Sequence, residues 1–169
     1  MVGIVDYGAG NIRSLTNALD FLKIKWKRSF YRSDLDECGS YILPGVGAFR
    51  PAMNGLKDLG LDWYLSQTDK HILGICLGYQ LLAVGGQEGG YTDGLGLLPG
   101  IVEKLPQPHV GWDYWSGKSF YFTHHYQNMH LPYAIIGQRI SGCQFHPEKS
   151  QENGLNFLRQ WYELSQFSL

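Results

Sequence analysis

The sequence has few cysteines, little net charge and no long apolar run. Three cysteines at irregular spacing cannot all pair, which argues against a disulfide framework and predicts a cytoplasmic protein. A formal net charge of −1 offers no basic surface, so we expect no nucleic-acid partner. Apolar runs fall short of the roughly 20 residues that cross a bilayer, so we expect no membrane partner either.

The length and the order of apolar segments predict one α/β domain. A chain of 169 residues is enough for a single core, and we assign residues 1–169 to one domain. Strands are predicted at 2–6, 26–31, 41–43 and 72–75, with helices over 12–22, 51–59, 61–67 and 77–84. This alternation predicts a mostly parallel sheet with helices on both faces. Strand-like pieces follow at 97–105, 120–124, 134–137 and 140–145, before an amphipathic helix over 151–165 with Ser150 as its N-cap.

A Gly-x-Cys-x-Gly motif joins the strand at 72–75 to the helix that follows. Cys76 is its central residue, between Gly74 and Gly78. This pattern is typical of a nucleophile elbow, in which a strained turn presents the central side chain at a helix N-terminus. Free backbone N–H groups there favour a thiolate. The alternative, a buried structural cysteine in a βα unit, fits the segment alone equally well.

A second motif, Gln-Phe-His-Pro-Glu, closes the strand-like segment that ends at residue 145. In an extended chain His146 and Glu148 project to the same side, and a carboxylate beside an imidazole orients it and stabilises its cation. Pro147 cannot donate to a ladder, so it marks a strand end. A surface His-Pro-Glu turn without chemistry is the alternative interpretation.

Together these motifs resemble those of the class I (triad) glutamine amidotransferases. Further segments narrow the resemblance to the glutaminase subunit of imidazole glycerol phosphate synthase, an enzyme of histidine biosynthesis. They lie, in the family's order, at 6–11, 44–49, 94–100, 111–112 and 148–150. The resemblance implies the flavodoxin-like class I glutamine amidotransferase fold with a mixed, mostly parallel sheet.

The same resemblance implies a mechanism without a cofactor or a metal. Cys76 would be the nucleophile on the glutamine carboxamide, His146 the proton carrier and Glu148 the group that orients His146. Gln80 matches the family's substrate-contacting glutamine.

An oxyanion hole is implied at two backbone N–H groups. One belongs to Leu77, directly after the nucleophile, and the other to Val46. Gly45 and Gly47 flank Val46 and would let that peptide reorient.

The implied partner is a (β/α)8-barrel cyclase subunit, which would form a heterodimer with the chain and use its ammonia. By the same resemblance four residues lie at or near the interface: Asn11, Trp112, Tyr126 and Lys149.

Departures from the family pattern keep other functions open. Segments 112–120 and 126–140 look shortened, and Tyr79 and His125 are bulky replacements that we expect to narrow the glutamine pocket. A paralogous glutaminase that supplies another synthase, for example one that amidates a surface sugar, is the first alternative. A non-catalytic scaffold is the second, although the presence of Cys76, His146 and Glu148 argues against it.

A zinc site is the rival interpretation of the histidines. Neighbours such as His124 and His125 point to opposite faces of a strand, as do Cys143 and His146, so they cannot converge without a bend. We therefore predict no metal, and a core position for Cys143.

Overall fold

The computed structural model describes residues 1–8 and 12–167. Within them the strands are β1 (Val2–Val5), β2 (Trp26–Ser29), β3 (Ser40–Leu43), β4 (His71–Ile75), β5 (Gly85–Gly86), β6 (Thr92–Asp93), β7 (Ile101–Trp115), β8 (Lys118–Asn128), β9 (Ala134–Ile136) and β10 (Ile140–Cys143). The helices are α1 (Arg13–Phe21), α2 (Arg32–Asp36), α3 (Phe49–Asp58), α4 (Leu61–Gln67), α5 (Leu77–Leu81) and α6 (Gln151–Gln166), and a 3₁₀ turn spans Pro147–Lys149. No helix in these ranges is long and apolar enough to cross a membrane.

The main sheet has the strand order β2-β1-β3-β4-β10-β9. Its pairs are parallel except for β9, which runs antiparallel to β10. The prediction of a mixed, mostly parallel sheet is therefore confirmed. Parallel strands end at a common edge, so the residues after β3, β4 and β10 meet there.

Alternating side chains of the strands build a core on each face of the sheet. Ile4 and Leu73 belong to the core under α1 and α6, whereas Val5 and Ile72 belong to the core under α3 and α4. Cys143 is fully buried in the first of these cores, as predicted. Helices thus cover both faces, which explains why the strands are nearly all apolar.

A long hairpin of β7 and β8 forms most of a second, four-stranded sheet. The sequence predicted only short pieces at 97–105 and 120–124. Lys104 pairs with Tyr126, and the next pair is His109 with His124, so the pairing is interrupted between them. Pro106 and Pro108 lie inside this interruption, and neither can donate a backbone hydrogen bond to a ladder.

Of two local predictions at helix ends, one is wrong and one is confirmed in position only. The helix predicted over 77–84 ends at Leu81, because the loop after Gly94 takes its last carbonyls: Leu95 N–H donates to Leu81 O and Leu97 N–H to Leu82 O. Ser150 is the N-cap residue of α6, as predicted, but its side chain makes no capping hydrogen bond. Its hydroxyl donates to His146 O at 2.6 Å instead.

Candidate active site

Cys76 occupies a strained turn between β4 and α5. Its φ of 50° and ψ of −103° lie outside the regions that L-residues favour. A Cβ on Gly78 would lie 2.0 Å from Leu43 O, and one on Gly74 would lie 2.6 Å from Gly78 O. Both glycines are therefore required, because backbone fills the space where their side chains would be. The backbone N–H of Cys76 donates to Cys143 O at 2.7 Å, which joins the turn to the end of β10.

His146 and Glu148 form a buried pair beside this turn. Nδ1 of His146 lies 2.8 Å from Glu148 Oε1, and the two side chains are 2% and 8% exposed. Glu148 belongs to the 3₁₀ turn rather than to a strand, so the turn, and not strand alternation, brings the two groups together. Ser150 holds the turn against β8, because its hydroxyl also accepts the Tyr121 N–H at 2.9 Å.

Electrostatics favour a protonated His146. Burial lowers the pKa of His146, but the neighbouring Cys76 and Glu148 outweigh it and raise the pKa to about 10. Among the described residues Nε2 of His146 has no hydrogen-bond partner. The Cys76 sulfur lies 3.6 Å from Gln144 Nε2, which donates to it, and 3.9 Å from Thr123 O.

The loop after β3 packs directly against the Cys76 turn. A Cβ on Gly45 would lie 2.4 Å from the Leu77 nitrogen and 2.2 Å from Ile75 O. Gly47 has a φ of 130°, which favours glycine. Val46, between them, is partly exposed and faces the same space as Cys76.

A crevice of about 340 Å³ joins these groups. Its lining combines the loop after β3, the Cys76 turn, the end of β8 and the 3₁₀ turn. The lining residues are Gly45, Val46, Gly47, Cys76, Leu77, Gln80, Glu88, Thr123, His124, His125, Tyr126, His146 and Lys149. Glu148 stands behind His146.

The predicted substrate residue Gln80 lies in the crevice wall and is buried. Its Nε2 donates to Tyr126 O at 2.6 Å and to Gln144 Oε1 at 3.4 Å. Gln80 thus ties α5 to β8 at the crevice.

The predicted interface residues do not all share one place. Tyr126 and Lys149 line the crevice, whereas Trp112 lies on the hairpin outside it, half exposed, with its ring 5.9 Å from that of Tyr121. Lys149 Nζ also lies 5.9 Å from the Tyr121 ring. Asn11 lies outside the described residues.

The expectation that Tyr79 narrows the pocket is wrong. Tyr79 is buried and does not line the crevice, and its hydroxyl donates to Pro132 O at 3.0 Å. Its ring fills the space that a side chain at Gly142 would occupy. His125, by contrast, is exposed and does line the crevice.

Three lining groups were not predicted from the sequence: Glu88, Thr123 and His124. Glu88 Oε2 accepts the Phe49 N–H at 2.8 Å at the start of α3, a contact over 39 residues that no local pattern signals. His124 is buried, its Nε2 lies 3.1 Å from Gln127 Oε1, and burial lowers its pKa to about 4. Strand alternation from His146 could not have located it, because β8 belongs to the other sheet.

Solved structures with the same fold are glutamine amidotransferases. One described as a glutamine amidotransferase superposes with a TM-score of 0.78 at 19% identity, covering 98% of both chains. A glutamine amidotransferase from Thermotoga maritima gives a TM-score of 0.54 at 16% identity, covering 99% of this chain and 85% of that one. These likenesses confirm the predicted fold class.

Curated relatives are much closer in sequence. The imidazole glycerol phosphate synthase subunit HisH of Exiguobacterium sibiricum is 42% identical, with 96% of this chain and 95% of that protein covered. The corresponding subunits of Listeria monocytogenes and Staphylococcus aureus are 37% and 40% identical over at least 95% of each chain. The alignments run over 188, 200 and 185 residues, so they place gaps in this 169-residue chain.

No family model matches the chain. The identity to these relatives, over nearly the whole length of each, is sufficient by itself: the chain belongs to the family of the imidazole glycerol phosphate synthase subunit HisH.

Proposed function

We propose that the chain is a glutaminase that hydrolyses L-glutamine to glutamate and ammonia and supplies the ammonia to a cyclase subunit in histidine biosynthesis. The observation that carries this proposal is a strained cysteine at a helix N-terminus in one crevice with a buried His–Glu pair. Family membership supports the choice of glutamine and of the pathway.

The first half of the reaction forms a thioester. Because the pKa of His146 is raised, the thiol proton of Cys76 passes readily to His146, which leaves a thiolate. The sulfur attacks the carboxamide carbon and the carbonyl π electrons move to oxygen. As the C–N bond breaks, His146 returns its proton to the leaving nitrogen, and ammonia departs.

The second half consumes water. His146, now neutral, takes a proton from the attacking water, and the C–S bond breaks as glutamate forms. The proton then returns to the Cys76 sulfur through His146. Glu148 keeps Nδ1 of His146 protonated throughout, which directs Nε2 to the reaction.

Backbone N–H groups of Leu77 and Val46 would stabilise the tetrahedral oxyanion. Leu77 begins α5, where N–H groups lack helical partners, and Gly45 brings the loop of Val46 against that turn. Two charged residues of the crevice lining suit the α-groups of glutamine: the Glu88 carboxylate suits the ammonium, and Lys149 suits the carboxylate.

The exposed apolar face of the hairpin is the proposed docking surface for the cyclase. We call Val110, Trp112 and Tyr114 the hairpin face; all three are exposed and lie at alternate positions of β7. Val110 pairs with Thr123, which lines the crevice, so this face leads directly to the crevice mouth. A partner seated there would cover the opening and keep ammonia from bulk water. The relatives' description as a subunit supports such a heterodimer.

Three free cysteines among the described residues suit a reducing compartment, which supports a cytoplasmic location. Their burial leaves none of them at the surface.

The deciding experiment measures glutamate release from glutamine with and without a purified cyclase subunit and its nucleotide ligand. We expect strong stimulation by the cyclase, and loss of all activity in Cys76→Ala with an unchanged unfolding temperature. Activity that ignores the cyclase would point to another acceptor synthase. No activity in either condition, or activity retained by Cys76→Ala, would contradict the proposal.

A further inference from the structure

The loop at 44–47 is held at both ends by side chains from distant parts of the chain. At its far end, Glu88 accepts the backbone N–H of Phe49. At its near end, the buried hydroxyl of Tyr7, which follows β1, donates to Pro44 O across 37 residues. Neither contact involves a side chain of the loop itself, so both act on the course of its backbone.

Between these anchors Pro44 and Gly45 are buried, whereas Val46 and Gly47 are exposed. A second cavity of about 100 Å³ lies beside it, and Val46, Gly47 and Leu77 line this cavity as well as the crevice. Tyr7 forms part of the wall of the second cavity. The loop therefore separates the crevice from the second cavity. The orientation of its peptide groups then depends on how its two ends are fixed.

We propose that Tyr7 is a positioning residue for the oxyanion hole, because its hydroxyl fixes the Pro44 carbonyl and thereby the direction of the Val46 N–H. This inference rests on the proposed function. The Pro44 ring restricts φ, and Gly45 is pressed against the Cys76 turn, so orienting the Pro44 carbonyl leaves few conformations for the next peptide. Without the hydroxyl bond, Gly45 and Gly47 would let the peptide turn away from the crevice.

The environment of Tyr7 keeps it a hydrogen-bond donor. Burial raises the pKa of the Tyr7 hydroxyl far above its ordinary value, and the nearby Cys76 raises it further. The phenol therefore keeps its proton when Cys76 is a thiolate, and the anchor persists through the reaction.

The variant Tyr7→Phe removes the hydroxyl and nothing else. We expect kcat for glutamine hydrolysis to fall by about 10- to 100-fold, because a small displacement of one oxyanion donor has costs of this order. KM should stay within about threefold, since Tyr7 does not line the crevice that would bind glutamine. The assay uses the full chain together with the cyclase subunit and its nucleotide ligand.

Tyr41→Phe is the matched control. Tyr41 is also buried, and its hydroxyl donates to a backbone carbonyl at 3.1 Å, but that carbonyl belongs to Leu35 and not to the loop at 44–47. We expect both variants to unfold at a somewhat lower temperature, and only Tyr7→Phe to lose kcat.

Two probes separate the oxyanion hole from the nucleophile. L-glutamate γ-semialdehyde forms a thiohemiacetal with a cysteine, in which an S–C bond forms and the carbonyl oxygen becomes the tetrahedral oxygen. We expect Tyr7→Phe to weaken its binding by about the same factor as kcat/KM. Alkylation of Cys76 by iodoacetamide needs the thiolate but depends less on the oxyanion hole. In Tyr7→Phe its rate should therefore stay within about twofold of the wild-type rate.

The inference is overturned if Tyr7→Phe behaves like Tyr41→Phe, or if aldehyde binding is unchanged while kcat falls. A wild-type chain that releases no glutamate with the cyclase present would instead overturn the proposed function, and with it the role of Tyr7. These outcomes are distinguishable because the second concerns the wild type alone.

Discussion

At the scale of single residues, opposing effects act on the pKa of His146. Burial disfavours a charged imidazole, yet two acidic neighbours reverse this preference. The raised pKa means that His146⁺ stabilises the folded state below its ordinary pKa of 6.5, and that this contribution is lost as pH rises towards about 10. Up to about pH 10 the imidazole therefore stays a cation beside Cys76.

The pKa of His124 is shifted in the opposite direction. Its pKa falls to about 4 in the folded chain, mainly through burial, so between pH 6.5 and 4 the unfolded chain binds a proton that the folded chain does not. As pH falls through this window, we expect the free energy of unfolding to decrease by up to about 1.4 kcal/mol per pH unit. His124→Gln should flatten the dependence, as measured by urea unfolding at a series of pH values.

His125→Gln is the control for that experiment, because His125 is the exposed neighbour on the other face of β8. It should keep the wild-type slope. A residual slope in His124→Gln is expected from His71, whose pKa burial also lowers. Equal slopes in wild type and His124→Gln would contradict the assignment.

Single residues also show why the sequence located the proposed catalytic groups and missed their neighbours. Cys76, His146 and Glu148 stand in short sequence motifs whose chemistry can be inferred without knowledge of the fold. Glu88 and His124 reach the crevice only through contacts with distant segments. Local patterns carry no record of such contacts, and the burial that lowers the pKa of His124 is a property of packing.

At the scale of elements, the contact between α5 and β3 fixes the site. Gly78 lies so close to Leu43 that α5 begins directly against the end of β3. Any side chain at this position would push the helix, and with it Cys76 and the Leu77 N–H, away from the loop of Val46.

We therefore expect Gly78→Ala to lose at least about 1–3 kcal/mol of stability, as overpacked cores do, and most of its glutaminase activity. Thermal unfolding and glutamate release measure the two effects. Gly39→Ala is the control, since a Cβ there meets nothing closer than Met1 O at 4.0 Å and should be neutral in both. A fully active Gly78→Ala would show that α5 has room to move.

The β7–β8 hairpin is the element that sequence patterns predicted least well. A continuous apolar run predicts a buried strand such as β4. In contrast, β7 is largely exposed and contains Pro106 and Pro108. Its existence depends on pairing with β8, a non-local interaction. Short pieces were predicted correctly at 120–124, where Phe120 and Phe122 enter the core with α6.

At the scale of the whole molecule, the hairpin face leaves aromatic surface uncovered. Trp112 is 50% exposed, and a half-buried aromatic ring at the centre of an interface commonly contributes about 2 kcal/mol or more to binding. We expect Trp112→Ala to weaken the complex with the cyclase at least about tenfold and to leave unstimulated glutamate release unchanged. Titration calorimetry or analytical ultracentrifugation measures the affinity.

Trp63→Ala is the matched control, because Trp63 on α4 is 61% exposed and does not lie on the hairpin face. It should bind the cyclase as the wild type does. Equal weakening by both variants would point to a general loss of solubility, and no weakening by Trp112→Ala would place the docking surface elsewhere.

The interrupted strand has a consequence for the chain when it is made without its partner. From residue 103 onwards one edge of β7 pairs with no described strand, and open edges of this kind invite fibrous aggregation. Pro106 and Pro108 interrupt the regular hydrogen-bonding pattern of β7, and proline within a strand opposes edge-to-edge pairing. We therefore expect the prolines to limit pairing between the hairpins of separate copies of the chain.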